Sequence, residues 1–582
     1  MANLIYLCGR EGAADRYSDA DVATVARRIT PDNAPDSVSI ERDDGIVQCL
    51  VGNADAVPTD GTSVCCGQVL GRDTEWPSPG TPPPDGSYAI VRDDADTVEL
   101  VSDVVGSRTL YYRLFEDLLV CGTSQRAVLH FADEFEPAES AIAWMISSGT
   151  LGPGGTWDAT IEQVPQDGVV TLDRTSWELD VQTNPVSFAP IDRSTAVLRD
   201  ELDRAIEASC EGFQIDCRDW VLPLSGGVDS RALLSRFGDR DGLEAVTWGT
   251  ADALEDPRSD ASVARELAAA SNVSHTYHEL PMEPDDVETV FERFLSAGEG
   301  RIDHVSGYVD GFDTFASLAE DGVQGIIRGD VPQSSTAVKS STHVRFNCGA
   351  RLVSDYDRLS SLAVPGNAEQ RWPRRYHRRD GESLVTWRDR AYQLYRIPTI
   401  LAALTDLKVP YVEVINPLLT REMVEAIRRL PDEARAEKRL FTDLALDRGP
   451  DVPVAERGAT PDYAALMGNH AVAAFLRDAI DTQDARRVLG AELVDWTLQA
   501  MRERTDADSG SAPAGTNWPS ITDAIKFGVA NRLPASLIDL VATHTPVDPP
   551  AVSIDPNHLA FRLYIVSAMH RRLRRDVTLF SS

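Results

Sequence analysis

The run PLSGGVDSR at 223–231 sits where a continuous apolar stretch, Trp220–Leu224, gives way to a segment with helical spacing. Leu233, Leu234 and Phe237 recur at that spacing, and Gly238 follows as a stop, so the pattern predicts a helix over 230–237. A buried strand that turns directly into a helix is the building unit of a parallel α/β sheet. Such a turn aims free backbone N–H groups and the positive end of the helix at one point. Gly226 and Gly227 let the backbone take unusual angles and let an anion come close. The hydroxyls of Ser225 and Ser230 add donors, and Asp229 can hold a divalent ion against phosphates. The motif therefore reads as a pyrophosphate cradle. It lacks the GK[ST] ending of a Walker loop and the GxGxxG spacing of dinucleotide folds.

The chain divides in character near residue 190. Before it, short apolar runs alternate with Gly, Asp and Pro turns, which predicts a β-rich sandwich with few helices. The predicted strands are Asn3–Cys8, Gly45–Val51, Ser63–Val69, Ser87–Arg92, Thr97–Ser102, Thr109–Phe115, Leu118–Gly122 and Gly168–Leu172. The proline-rich stretch 77–84 is an extended connector, since proline cannot donate to a central strand. A polar bridge at 182–194 ends this region. Beyond it, predicted strands Leu243–Trp248 and Val323–Ile327 alternate with helices such as Asp260–Ala270. From about 415 onward amphipathic helix dominates, interrupted by a loop at 505–516 rich in Asp, Ser and Gly. The expected organisation is one domain over 1–190 and a second over 191–582.

Asp and Glu number 92 against 56 Lys and Arg, a net charge of −36. That field repels nucleic acid and anionic membrane surfaces, so neither is an expected partner. Lysine occurs only at Lys339, Lys408, Lys438 and Lys526; every other cation is arginine. This acidic, lysine-poor balance resembles the proteins of salt-loving archaea. Eight cysteines show no CxxC pair and no histidine at zinc spacing, so reduced, buried thiols in a cytoplasmic protein are expected. No apolar run approaches the roughly 20 residues of a membrane span. The opening run Leu4–Cys8 has no basic segment before it and reads as a strand rather than a signal peptide.

The sequence SGGVDS resembles the ATP-pyrophosphatase (PP-loop) enzymes, and within them the asparagine synthetase family. The resemblance runs through most of the chain. It includes DGSYAIVRDD (85–94), LVSDVVGSRTLYY (100–112), CGTSQRAVLHF (121–131) and IEQVPQDGVVTLD (161–173). It continues through RSDASVARELA and SHTYHEL within 258–280, GVQGIIRGD (322–330), EVINPLL (413–419) and LPDEARAEKRLF (430–441). The fold it implies is a degenerate class II glutamine amidotransferase-like (Ntn-hydrolase) α+β sandwich, followed by a PP-loop α/β domain with a parallel sheet and a helical C-terminal part. The activity it implies is amide-bond formation from a small-molecule carboxylate and an amine or ammonia, using ATP and Mg2+, in a cytoplasmic protein that could form a homodimer. On this resemblance Leu224, Ser225, Gly226, Gly227, Asp229, Ser230, Arg328 and Gly329 bind ATP and its pyrophosphate, and Asp229 holds the metal. Trp248 and Gly249 line adenine and ribose, Lys438 neutralises charge on the reacting phosphate, and Asp330 is a base or metal ligand.

The chain departs from the family at three places. The family's glutaminase uses an N-terminal cysteine, whereas position 2 is Ala2, and its NGE turn reads Cys66-Gly67-Gln68, so no glutamine hydrolysis is expected. The acid-rich turn reads Gly329-Asp330-Val331-Pro332-Gln333-Ser334, with Gln333 where a later carboxylate stands. The pocket segment carries Ile415 where arginine is common; Arg396 upstream is a candidate carboxylate binder. Two cationic islands, RWPRRYHRR (371–379) and HRRLRR (570–575), read as solvated faces paired with nearby acids or as sites for an anionic partner. His275 and His278 have poor metal geometry and read as structural. Besides the ligase, an ammonia-dependent asparagine synthetase and a nucleotide-binding pseudoenzyme or scaffold stay open.

Overall fold

The computed structural model describes residues 2–52, 54–71, 75–509 and 552–580. Two six-stranded antiparallel sheets occupy the N-terminal part. The first runs, edge to edge, Glu162–Gln163, Tyr111–Leu114, Leu118–Gly122, Ala2–Gly9, Ile46–Gly52 and Val38–Asp43. The second runs Glu178–Thr183, Gly168–Asp173, Thr97–Ser102, Gly86–Asp93, Ser63–Val69 and Thr59–Asp60. Their inner faces interdigitate through Leu4, Tyr6, Cys8, Ile46 and Leu50 of one and Val64, Cys66, Ala89, Val91, Leu100 and Val170 of the other. The packing is that of a sandwich, in which alternate residues of each strand form the core.

All eight strands predicted in this region are present. The four that the sequence did not announce are Val38–Asp43, Thr59–Asp60, Glu162–Gln163 and Glu178–Thr183. Each lies at the edge of its sheet. The two long ones are mostly exposed, so no apolar alternation marks them. The helix Asp19–Ile29 was also missed, although Ser18 and Asp21 form a complete capping box at its start.

A five-stranded parallel sheet follows, in the order Ser274–Glu279, Glu244–Gly249, Trp220–Pro223, Gly325–Ile327 and Glu413–Ile415. Helices Val228–Phe237 and Asp260–Ala270 connect its strands, as expected. The C-terminal part is helical, from Arg421–Arg429 to Pro556–Asp576. The helix Ala491–Ser509 extends through the first residues of the loop expected at 505–516; the remainder of that loop, and Lys526, lie outside the described residues. The helix Pro556–Asp576 is buried along most of its length. It joins the largest apolar cluster, which draws on Ile5 and Val47 of the first sheet as well as Phe291, Phe294 and Leu476.

Paired charges run through this shared interior. Arg108 of the N-terminal part meets Glu413 of the parallel sheet, both almost fully buried. Arg126 holds Asp576 at 2.7 Å, and Arg421 holds Asp167 at 2.6 Å. All eight cysteines are buried and unbridged. Burial raises their thiols, Cys8 to about 11 and Cys66 to about 12. No helix among the described residues is long and apolar enough to cross a membrane.

Candidate active site

The strand Trp220–Pro223 is central in the parallel sheet, and the site is built where it ends. The Leu224 N–H still donates to the Val246 carbonyl at 2.8 Å, and its side chain is buried. The chain then bends through Ser225–Gly227 into the helix Val228–Phe237. Two hydroxyls clasp the bend: Ser225 Oγ lies 3.0 Å from Ser230 Oγ, and the Gly227 N–H donates to Ser225 Oγ at 3.2 Å. No side chain caps this helix. Its first N–H groups, with no intrahelical acceptor, face the bend together with the helix's positive end.

The two glycines serve different ends, and neither has a positive φ, so the unusual backbone angles that the sequence allowed are not used in the left-handed region. At Gly226 a side chain would strike Ala455 Cβ at 2.4 Å and Val263 at 2.9 Å, so the residue is small because another segment packs on it. At Gly227 the nearest atom is Ser225 Oγ at 3.1 Å, which leaves room above the helix end. The Gly226 N–H is already taken by Asp260 Oδ1 at 3.0 Å. Sequence inspection missed that acid, which sits on the next crossover helix.

Asp229, in the first helical turn, receives the Lys438 ammonium at 2.7 Å across 209 residues of chain. Their side chains are 28 % and 14 % exposed. Burial raises the Asp229 carboxyl above its ordinary range; Lys438 opposes that shift and Asp330 adds to it. Lys438 reaches the acid from a tight double bend in which Glu437 and Lys438 both have positive φ, 54° and 57°. Non-glycine residues held in that region carry strain of about 1–3 kcal/mol each and cluster at functional sites.

The acid-rich turn lies directly against this pair. A side chain at Gly329 would meet the Asp229 backbone at 3.2 Å and Leu233 at 3.1 Å, so the glycine admits the turn to the helix. Asp330 is heavily engaged: Arg328 Nε lies 2.7 Å away, Asn416 Nδ2 donates at 2.9 Å, and the Asp330 N–H donates back to Asn416 Oδ1 at 3.2 Å. Arg328 is itself steered by Thr405 Oγ1 at 3.2 Å. Held in this way, Asp330 is a paired anion rather than the free base considered from sequence. Gln333 is fully buried, and neither amide atom has a partner among the described residues. Ile415 is fully buried in the core of the sheet.

A ten-residue π-helix, Tyr392–Leu401, carries Tyr392 within electrostatic reach of both acids. Burial raises the Tyr392 hydroxyl, and both Asp330 and Asp229 push it further, with Arg396 opposing. Arg396 stacks over the Tyr392 ring at 5.9 Å and forms no ion pair with an acid among the described residues. π-Helical turns are rare and frequent at functional sites. Tyr392 carried no signal in the sequence beyond its place in an apolar stretch.

The expected nucleotide-lining residues lie on the neighbouring strand. Trp248 is half-buried and packs edge-on against Phe315 at 5.4 Å. Gly249 is covered: a side chain there would meet Ala459 at 2.4 Å and the Tyr277 hydroxyl at 2.7 Å. The covering segment, 450–459, is tied down along its length. Buried Arg231 donates to the carbonyls of Val452 and Pro453 at 2.6 and 3.0 Å. The Ala455 N–H donates to the Gly226 carbonyl at 3.1 Å, and the Ala459 carbonyl accepts from Thr250 at 2.9 Å.

The helix end, two hydroxyls and Lys438 suit a chain of phosphates. Among the described residues no group of three His, Cys, Asp or Glu side chains could hold a metal ion. The donor set fits a magnesium ion carried on the phosphates and held by Asp229, since magnesium commonly takes one or two carboxylates plus substrate oxygens. His275 bonds Thr247 at 2.9 Å, a structural contact. Compared with known proteins, the chain matches no protein-family model, and no curated protein matches it.

Proposed function

We propose that this chain is an ATP-dependent ligase that activates a carboxylate as its adenylate, releases pyrophosphate and forms an amide with ammonia or an amine. The observation that carries this is the contact of Lys438 with Asp229 at the uncapped helix end of the 225–230 bend. A cation, free N–H groups and two hydroxyls converge there, and this is the donor set that a departing pyrophosphate needs.

A carboxylate oxygen of the substrate attacks the α-phosphorus of ATP, and the bond from that phosphorus to the bridging oxygen breaks. The electron pair leaves with pyrophosphate, received by the helix N-terminus, Ser225 and Ser230. Lys438 neutralises charge on the phosphate oxygens as it develops. Asp229 would hold a magnesium ion carried on the phosphates, and such an ion would supply further charge neutralisation there. An amine nitrogen then attacks the acyl carbon, AMP departs with the electron pair of the acyl–oxygen bond, and the proton released by the nitrogen passes to solvent. Arg328 and Asn416 fix Asp330 beside this centre, where it orients rather than abstracts.

The sandwich is read as an amidotransferase-like domain without glutaminase chemistry, and the burial of Cys8 and Cys66, which raises both thiols, supports this reading. The amine therefore comes from solution or from the substrate. The engagement of Asp330, the buried Gln333 and the segment over Gly249 favour a second role, a nucleotide-binding scaffold without turnover.

The test is ATP–pyrophosphate exchange in molar potassium chloride across a panel of carboxylates, with Asp229→Ala as control. Exchange with aspartate alone identifies an ammonia-dependent asparagine synthetase, and exchange with another acid a more specialised ligase. ATP binding without exchange for any acid identifies the scaffold. Exchange that persists in Asp229→Ala refutes the assignment of the bend.

A further inference from the structure

The island RWPRRYHRR places five arginines within nine residues of a chain that carries 36 excess negative charges. The sequence left open whether they are neutralised by neighbours. They are not: Arg371, Arg374, Arg375, Arg378 and Arg379 are all exposed, and none forms an ion pair with a carboxylate among the described residues. Their side-chain hydrogen bonds go to neutral groups, while the Arg379 backbone N–H donates to Glu382 Oε2 at 2.9 Å. Arg375 donates to the Tyr376 hydroxyl at 2.8 Å, Arg378 to the Glu382 carbonyl at 2.6 Å, and Arg379 to the Val186 carbonyl at 3.1 Å.

The loop is held rigid from beneath. Arg390, fully buried, donates to the carbonyls of Arg375 and His377 at 2.8 and 2.6 Å and is locked by both oxygens of Glu382. Trp387 donates to the Tyr376 carbonyl at 2.7 Å, and His377 bonds the Trp372 carbonyl at 2.9 Å. Burying an ion pair is costly, and five like charges in one loop repel one another. A fold that spends a buried pair to hold unpaired arginines outward has preorganised them for an anion.

The aromatic side chains narrow the kind of anion. Tyr376 is buried, and Trp372 packs against Tyr376 and Tyr395 with centroids 4.9 and 5.1 Å apart. The rings anchor the loop, so they do not offer the open stacking platform that single-stranded nucleic acid uses. The field of the remaining surface opposes a long phosphate backbone. A row of guanidinium forks suits spaced carboxylates, and arginine with tryptophan and tyrosine is the composition of interface hot spots.

We propose that the 371–379 loop is a docking site for an acidic segment of a partner protein. The loop reaches toward the candidate active site through one helical turn: beside Arg390, Asp389 accepts from the Ser334 N–H and Arg435, which flank Asp330 and Lys438 in sequence. The docking surface stands independently of the ligase assignment.

The experiment is fluorescence anisotropy with a labelled oligoglutamate peptide and the full chain, over a series of potassium chloride concentrations. Wild type binds the peptide, more weakly as salt rises. The combined variant Arg374→Gln, Arg375→Gln and Arg378→Gln binds about tenfold more weakly or worse, with an unchanged melting temperature. Lysine at the same three positions restores most of the binding at low salt, which separates lost charge from lost fold. Absence of peptide binding to wild type, equal binding by the glutamine variant, or tighter binding of an oligouridylate than of the peptide overturns the proposal.

Discussion

Replacing Lys438 with Met removes the cation from Asp229 and retains most of the side-chain volume. Breaking a fully buried ion pair costs about 3–5 kcal/mol, and an exposed pair contributes about 0–1 kcal/mol. With Lys438 14 % and Asp229 28 % exposed, the loss lies between these, about 2 kcal/mol. Molar salt shortens the screening length to about 3 Å, which is close to the 2.7 Å contact itself. A shielded pair at that distance keeps most of its coupling. The attraction exists only while Asp229 is ionised. Burial and Asp330 raise its carboxyl, so the folded protein takes up a proton there before the unfolded chain does. The penalty of Lys438→Met is therefore full at neutral pH and fades as pH falls through the raised range of Asp229. The assay is urea unfolding in molar potassium chloride of wild type, Lys438→Met, Asp229→Asn and the double variant, at neutral and acidic pH. A coupling energy of about 2 kcal/mol at neutral pH that collapses in acid is expected. A coupling below about 0.5 kcal/mol, or one that does not change with pH, would refute the pairing.

Three further outcomes follow from other contacts. Gly226→Ala must displace Ala455 and Val263, lowering stability by about 1–3 kcal/mol, whereas Gly227→Ala meets only a serine hydroxyl and leaves the melting temperature nearly unchanged; equal melting shifts would contradict the packing. Arg108→Met leaves Glu413 buried and uncompensated, costing about 3–5 kcal/mol in denaturant unfolding, and Arg108→Met with Glu413→Leu recovers most of that loss. His130 is fully buried, and burial lowers it to about 4. A depressed histidine contributes stability above its unfolded value that is lost as pH falls through the folded one. Wild type should thus lose up to ~3 kcal/mol between about pH 6.5 and 4 from this residue, and His130→Asn should show a shallower acid slope in pH-dependent melts.

The sequence by itself determined the local architecture. Short apolar runs bounded by Gly, Asp and Pro turns marked eight of the sandwich strands, and the turn chemistry of 223–231 marked the strand-to-helix junction on which the site stands. It did not mark Val38–Asp43 or Glu178–Thr183, because an exposed edge strand buries no stripe that a pattern can reveal. The tertiary structure decided what no window of sequence holds. It set Lys438 against Asp229 from 209 residues away. It made Gly226 a packing glycine by laying Ala455 on it. It turned Asp330 from a free acid into a partner of Arg328 and Asn416, and it brought Tyr392 beside both acids. The physical reason is one of range. Hydrophobic period and turn preference act between residues a few positions apart, whereas charge neutralisation and close packing depend on which distant segments the finished core brings into contact.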